Sequence, residues 1–193
     1  MTAPDPITRL EDAITRARAA SPDDPTAAAL ATADARGRPS VRMVLVKGAD
    51  ARGLTFFTNR DSRKGRELAE NPWAALCLHW AALGEQVRAE GPVAPLPDAE
   101  SDAYFATRPR ESQLGAWASR QSAPLAARAD LEAALAEVTG RFAGLPVPRP
   151  PRWGGYLLAP QVIELWRNGD GRLHHRERFE REGAGWRVTL LQP

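Results

Sequence analysis

The fold turns on Ser40-Val41-Arg42-Met43-Val44-Leu45-Val46-Lys47, followed after a turn by Leu54-Thr55-Phe56-Phe57-Thr58 and then by Asp61-Ser62-Arg63-Lys64. Residues 40–47 alternate, with Val41, Met43 and Leu45 on one face, as strand residues do. Residues 50–53 form a turn and 54–58 a second strand. Residues 62–71 read as a short helix, capped by Asp61 or Ser62 and stopped before Pro72. So short a turn between two strands calls for antiparallel pairing rather than βαβ crossovers.

Working outward, residues 5–20 carry Ile7, Leu10, Ile14 and Ala17 at helical spacing, with Asp5 as cap and Pro6 in the first turn. Residues 27–33 are an apolar strand, and 73–82 and 86–96 are two more around Gly84. A helical insert spans about 98–142: helices at 98–107 and 111–119 flank Pro109, and a longer one at 124–142 puts Leu125, Leu131, Leu135 and Val138 on its apolar side. Residues 144–155 are a connector rich in Pro and Gly, and strands return at 162–167, 173–179 and 186–191. This pattern predicts a mainly β chain with helices (α+β): an antiparallel barrel or curled sheet with helices packed outside, as one domain over residues 1–193.

Composition narrows the function classes. The 193 residues are 43% hydrophobic and 26% charged, which excludes disordered and fibrous chains. No apolar run approaches bilayer length, and residues 1–10 do not read as a secretory leader, so the expectation is a cytoplasmic chain. Cys77 is the only cysteine, so neither a disulfide framework nor a multi-cysteine metal site is expected. Net charge is +2, without a run of like charges that would bind a polyanion. His174 and His175 are adjacent and would face opposite ways in a strand; no metal site is expected.

What remains is a set of anion-binding blocks. Asp61-Ser62-Arg63-Lys64 stands where a strand hands over to a helix, and free N–H groups, a hydroxyl and two cations there suit a phosphate. On those four residues alone, an ordinary capped helix with solvated cations is the simpler reading. Arg42 and Lys47 bracket one strand but, five positions apart, serve a single site only through a bulge or from the strand end. Tyr104 and Arg108 share a helical face around the break at Pro109, with Ser112 opening the next helix; a second phosphate or ring site and a plain polar junction both fit. Alternation puts Arg172, His174 and Arg176 on one strand face, where three potential cations repel unless an anion or electron-rich ring covers them.

In order and spacing these blocks resemble the pyridoxamine 5′-phosphate oxidase family from about residue 24 to 193. The pieces are Arg42 to Lys47, Phe56-Phe57-Thr58-Asn59, Ser62-Arg63-Lys64, Glu85-Gln86-Val87, Tyr104-Phe105 continuing to Arg108-Pro109-Arg110-Glu111-Ser112-Gln113, Gln121-Ser122, Trp153-Gly154-Gly155, Trp166 and Arg172-Leu173-His174-His175-Arg176. The resemblance implies an FMN-binding split β-barrel acting as a homodimer with FMN at the interface. It implies oxidation of pyridoxamine or pyridoxine 5′-phosphate to pyridoxal 5′-phosphate, with the C4′ hydride passing to flavin N5 and O₂ taking the electrons as H₂O₂. FMN contacts fall on Arg42, Met43, Val44, Leu45, Val46, Lys47, Phe57, Thr58, Arg63, Lys64, Gln86, Gln121, Ser122, Trp166 and Arg176. The substrate phosphate falls on Lys47, Tyr104, Arg108 and Ser112, and the reacting end of the ring on Arg172 and His174.

The chain departs from the family pattern at His175, where an acid is usual, at Phe57, where tyrosine is common, and at Leu190-Leu191-Gln192-Pro193, which lacks an arginine often found before the final proline. Few residues precede the first helix, where longer members carry a closing arm. A split-barrel oxidase acting on a dihydrophenazine-type aromatic, and a non-catalytic FMN-binding protein, are the alternative readings. A nucleic-acid-binding barrel would need aromatics interleaved with a basic face, and nothing here requires one.

Overall fold

Asp5 accepts a hydrogen bond from the Ile7 amide (3.0 Å), and Pro6 opens α1 (Pro6–Ala20) in the computed structural model, which describes residues 5–193. The expectation about a leader in residues 1–10 therefore lies partly, at 1–4, outside the described residues. Ile7, Leu10, Ala13 and Ala17 form the buried face of α1. They seal the core built by β1 (Ala27–Ala33), β2 (Pro39–Asp50) and β3 (Gly53–Asn59). Next come α2 (Arg63–Glu70), β4 (Trp73–Trp80) and β5 (Glu85–Pro95). The insert holds α3 (Asp98–Thr107), α4 (Arg110–Ala118) and α5 (Arg128–Arg141), and the chain closes with β6 (Trp153–Leu158), β7 (Val162–Arg167), β8 (His175–Glu182) and β9 (Gly185–Leu190).

All strand pairings are antiparallel. The order β4-β1-β2-β3-β6-β5 closes on itself through β4–β5, giving a six-stranded barrel. The barrel splits along β5. Residues 93–95 pair with β6, whereas 85–90 pair with β7, from which β8 and β9 extend as a wing. Gly91 sits at the split because a Cβ there would stand 2.2 Å from the Ala159 carbonyl oxygen. Along β1 the even positions Ala28 and Leu30 point inward to meet Leu54, Phe56, Leu76 and Leu78, all essentially inaccessible. The split-barrel expectation is met. No helix among the described residues is long and apolar enough to cross a membrane.

Three sequence expectations need correction. The strand β6, which completes the barrel, was expected as part of the connector. Its two glycines hide its β character, yet packing demands them: a Cβ at Gly155 would meet the Phe57 ring at 2.7 Å, and one at Gly154 the Arg60 guanidinium at 2.6 Å. The long helix starts at Arg128 rather than 124 and buries no residue fully; Leu125 lies outside it at 53% exposure and Leu135 is exposed, so the expected apolar side is reduced to the half-buried Leu131 and Val138, the latter packed on the Phe105–Leu114–Phe142 cluster. Finally, β8 begins at His175. Arg172 ends a 3₁₀ turn (Asp170–Arg172), so the alternation that would align Arg172 and His174 with Arg176 does not exist.

Candidate functional site

The register between β2 and β3 slips between Val46 and Gly48, leaving Lys47 as the extra residue of a bulge. Arg42 and Lys47 nevertheless go to different neighbours. The Arg42 guanidinium turns to Thr32, Ser40 and Glu67, while Lys47 lines an outer cavity with Leu45. Val46 is buried in the barrel, Val44 half-buried, and Met43 exposed on the outer sheet face.

At the end of β3 the chain turns into α2. Ser62 caps the helix, its hydroxyl accepting from the Gly65 amide. Gly65 is required there because a Cβ would lie 2.1 Å from the Arg60 carbonyl oxygen. The turn directs the Lys64 ammonium into the protein, where it donates to Thr58 Oγ1 and Gln121 Oε1, both at 3.0 Å. Lys64 is 7% exposed and makes no ion pair among the described residues. Desolvation, reinforced by the nearby Arg42 charge, pushes its pKa down to about 8. A buried ammonium ringed by neutral oxygens is short of an anion.

Beside it Glu67 does the opposite work. It is nearly inaccessible and accepts from Ser40 Oγ (2.6 Å), Arg63 Nε (2.8 Å), Arg42 Nη2 (3.1 Å) and, in a short contact, Thr32 Oγ1. Burial alone would raise its pKa; the hydrogen bonds from Ser40, Thr32, Arg63 and Arg42 outweigh burial and hold it at about 2. Arg42 and Arg63 are thus oriented by a carboxylate, whereas Lys64 is not.

The outer cavity has a volume of about 650 Å³ and brings together Lys47, Phe57, Thr58, Tyr104, Arg108, Ser112 and Gln121. Its aromatic wall is a stack: Phe57 on Tyr104 (centroids 3.9 Å, 15°) and Phe57 on Trp153 (5.4 Å, 10°). The Arg108 guanidinium stands 4.8 Å from the Trp153 ring centroid. Burial lowers its pKa, and its Nη1 is buried with no hydrogen-bond partner. Burial likewise raises the Tyr104 phenol.

The remaining sequence candidates gather on the split side of the barrel, away from that cavity. Gln86, Trp166 and Arg176 are successive cross-strand partners on β5, β7 and β8, so they form one rung on one face. Glu164, 4% exposed, holds Arg176 from Nε (2.9 Å) and Nη2 (3.1 Å) and also takes Arg88. The His174 ring lies 4.6 Å from Trp166, and its Nδ1 accepts from the Gly169 amide (3.3 Å). Arg172 is exposed. The structure brings together eight candidates at the cavity, counting Leu45, and four at the split, counting His174 with the rung, but does not join the two groups within one chain.

Ser122 (φ +70°) and Arg172 (φ +66°) are the two non-glycine residues with positive φ among the described residues. Both are sequence candidates, and left-handed backbone at side chains other than glycine concentrates where a fold holds a site in place. Trp153, Glu67 and Glu164 were missed as site residues. Trp153 stood in a quoted motif and could have been found; the two glutamates act through partners remote in sequence. No cluster of metal-ligating side chains exists among the described residues.

The family model described as pyridoxamine 5′-phosphate oxidase matches residues 14–142, and that of the pyridoxine 5′-phosphate oxidase C-terminal dimerisation region matches 153–193. A pyridoxine/pyridoxamine 5′-phosphate oxidase of Anaeromyxobacter dehalogenans is 71% identical over 99% of this chain and 96% of its own. A protein of the same name from Myxococcus xanthus is 53% identical over 100% of this chain and 94% of its own. Among solved structures, PhzG of Burkholderia lata, in complex with tetrahydrophenazine-1-carboxylic acid, superposes with a TM-score of 0.93 at 40% identity, covering 99% of this chain and 94% of that one. An FMN-binding protein of Nostoc punctiforme shares the fold (TM-score 0.78, 18% identity, both chains fully covered). By its matches over both parts of the sequence, the chain belongs to the pyridoxamine 5′-phosphate oxidase family.

Proposed function

We propose that the chain is an FMN-dependent oxidase that converts pyridoxamine or pyridoxine 5′-phosphate to pyridoxal 5′-phosphate as a homodimer of single-domain protomers. The observation that carries this is a pair of cations without carboxylate partners on one cavity, the buried Lys64 and the half-buried Arg108. Lys64 stands behind Thr58 and Gln121, which line it, and Arg108 lines it directly. Two phosphate monoesters, one on the cofactor and one on the substrate, answer that pair. The Lys64 pocket fits FMN, because a phosphate there would supply the missing anion at a helix start.

FMN, when bound, would supply the redox chemistry, accepting a hydride equivalent from C4′ and passing the electron pair to O₂; with pyridoxamine 5′-phosphate the substrate imine so formed would be hydrolysed by water, releasing ammonia. The protein binds and orients. Lys64 and the Glu67-anchored Arg42 and Arg63 hold the cofactor phosphate, with Ser122 beside Gln121; β2 from Arg42 to Lys47 backs the flavin. Lys47, Tyr104, Arg108 and Ser112 hold the substrate phosphate. Arg172 and His174, with the rung Gln86, Trp166 and Arg176, complete the site from the second protomer. That arrangement reconciles two candidate groups that one chain leaves apart, and the dimerisation-region model matches residues 153–193, which carry Trp166, Arg172, His174 and Arg176. His174 Nδ1 accepts from Gly169, which leaves Nε2 to face the ring and to hold or move a proton as charge shifts at C4′.

A second reading is favoured by one finding, the 40% identity to a protein that binds a reduced phenazine carboxylate: an oxidase of a dihydrophenazine acid, with Arg108 on the carboxylate. One experiment separates the readings. The purified protein should be yellow, be bleached by pyridoxamine 5′-phosphate without oxygen, and take up O₂ with pyridoxine 5′-phosphate. Turnover of a dihydrophenazine carboxylate alone would support the second reading, and a protein that binds FMN yet turns over neither would refute both.

A further inference from the structure

Three of the arginines assigned to the site are neutralised by buried carboxylates: Arg42 and Arg63 by Glu67, and Arg176 by Glu164. Arg108 makes no ion pair among the described residues. It is held by aromatic faces instead, with its guanidinium carbon 4.8 Å from the Trp153 centroid and 5.4 Å from that of Phe105. The difference has a physical consequence. A carboxylate fixes a guanidinium but cancels its charge, whereas a π face fixes it through the ring quadrupole and leaves the full positive charge for a ligand. The buried, unpartnered Nη1 of Arg108 is the N–H left over by that arrangement.

Trp153 is itself rigidly set. Its ring is stacked on Phe57 and lies edge-on to Phe105 (5.1 Å, 69°). Its carbonyl accepts from Arg149 Nη1 (2.7 Å), and Arg149, 10% exposed, is anchored by Asp102 (2.6 Å) and Asp98 (2.9 Å) at the start of α3. One arginine thus ties the strand bearing Trp153 to α3, the helix that Arg108 caps at its C-terminal end.

We propose that Trp153 is a positioning residue that holds Arg108 without neutralising it, and so sets the cavity's preference for an anionic over an uncharged substrate. This rests on the proposed phosphate role of Arg108. The test uses the FMN-loaded protein and the variants Trp153→Leu, Trp153→Phe, Arg108→Ala and the double variant Trp153→Leu with Arg108→Ala. The readouts are KM and kcat for pyridoxine 5′-phosphate and the competitive inhibition constant of inorganic phosphate.

Loss of the π face in Trp153→Leu should raise KM and the phosphate inhibition constant together by about tenfold, with kcat falling less than KM rises. Trp153→Phe, which keeps a weaker π face, should show a smaller rise of about threefold. In the Arg108→Ala background, Trp153→Leu should cost nothing further. Unchanged constants in Trp153→Leu, equal losses in the Phe and Leu variants, or additive losses in the double variant would overturn the proposal. If Trp153→Leu does not fold, Trp153→Phe decides alone: no rise in either constant refutes it. A wild type that does not oxidise pyridoxine 5′-phosphate refutes the proposed function instead, and direct titration of phosphate into wild type and Trp153→Phe then reads the positioning role, with equal affinities counting against it.

Discussion

The Lys64 ammonium and the Gln121 side-chain oxygen lie 3.0 Å apart, although 57 residues separate them in the chain. The contact ties the loop after α4 to the start of α2, and with Thr58 it surrounds a buried cation by neutral acceptors only. Burial has pushed that ammonium down to about 8, so its charge is present at neutral pH and lost above. An anion at Lys64 raises its pKa again, so binding is coupled to a proton. FMN affinity of the apoprotein should hold steady below pH 8 and then fall by up to about tenfold per pH unit as Lys64 deprotonates. Flavin fluorescence quenching from pH 6 to 10 measures this. Lys64→Met should bind weakly with no pH break near 8; a wild-type profile flat to pH 10 would refute the assignment. Arg63, exposed and paired with Glu67, should matter less than Lys64 when each is replaced by Ala.

Glu67 should reveal itself in acid. Its folded pKa of about 2 lies below the ordinary 4.5, so the carboxylate stabilises the fold fully above 4.5 and progressively less as pH falls towards 2. Glu67→Ala leaves Arg42, Thr32 and Ser40 facing an empty buried position, and should lose about 3–5 kcal/mol at pH 7. The deficit should shrink at pH 3, where the wild type has lost part of the same interaction. Urea unfolding at the two pH values decides it: a deficit independent of pH would mean that Glu67 acts by packing and not by charge.

The legible parts of the sequence were those with a local cause. Alternation in β2, the Ser62 cap of α2, and Pro6 behind Asp5 all act within a few residues, and the observed elements follow them closely. β6 was illegible because its glycines answer to Phe57 and Arg60, residues about a hundred positions away. The turn at Arg172 was illegible for a different reason. Its letters alternate like a strand, but Gly169 is packed against the Leu173 carbonyl and both Gly171 and Arg172 take left-handed φ, so the chain coils before β8 begins. The charge-bearing candidates could be named from motif spacing. Which of them are neutralised could not, since Glu67 reaches across to β1 and β2 and Glu164 to β5 and β8.

The two clamps on the substrate should fail differently. The phosphate is remote from C4′ and unchanged as hydride leaves, so Arg108→Ala should mainly raise KM, by about ten- to hundredfold for one lost charge-assisted bond. His174 would face the ring, where charge shifts, so His174→Ala should lower kcat. Steady-state kinetics with pyridoxine 5′-phosphate separates them. An Arg108→Ala enzyme with lower kcat at unchanged KM, or a His174→Ala enzyme equal to wild type, would show that these roles are misassigned.

The same two variants test whether the site is shared between protomers. Arg108 lines the cavity, while His174 sits with Trp166 and Arg176 on the split side, and one chain does not join them. If each site takes Arg108 from one protomer and His174 from the other, a heterodimer of Arg108→Ala and His174→Ala chains has one site carrying both substitutions and one carrying neither. Random reassortment of an equal mixture makes half the dimers mixed, each with one intact site of two, so the mixture should recover about a quarter of wild-type activity at low substrate, well above either variant alone. If both residues instead served a site within one chain, every site would carry one substitution and mixing would add nothing. The experiment needs subunit exchange, forced by refolding the variants together, and two affinity tags to isolate the mixed dimer. Sedimentation confirms that the isolated species is dimeric. A pure heterodimer no more active than the mean of its parents would place the whole site in one protomer and remove the main reason for a functional dimer.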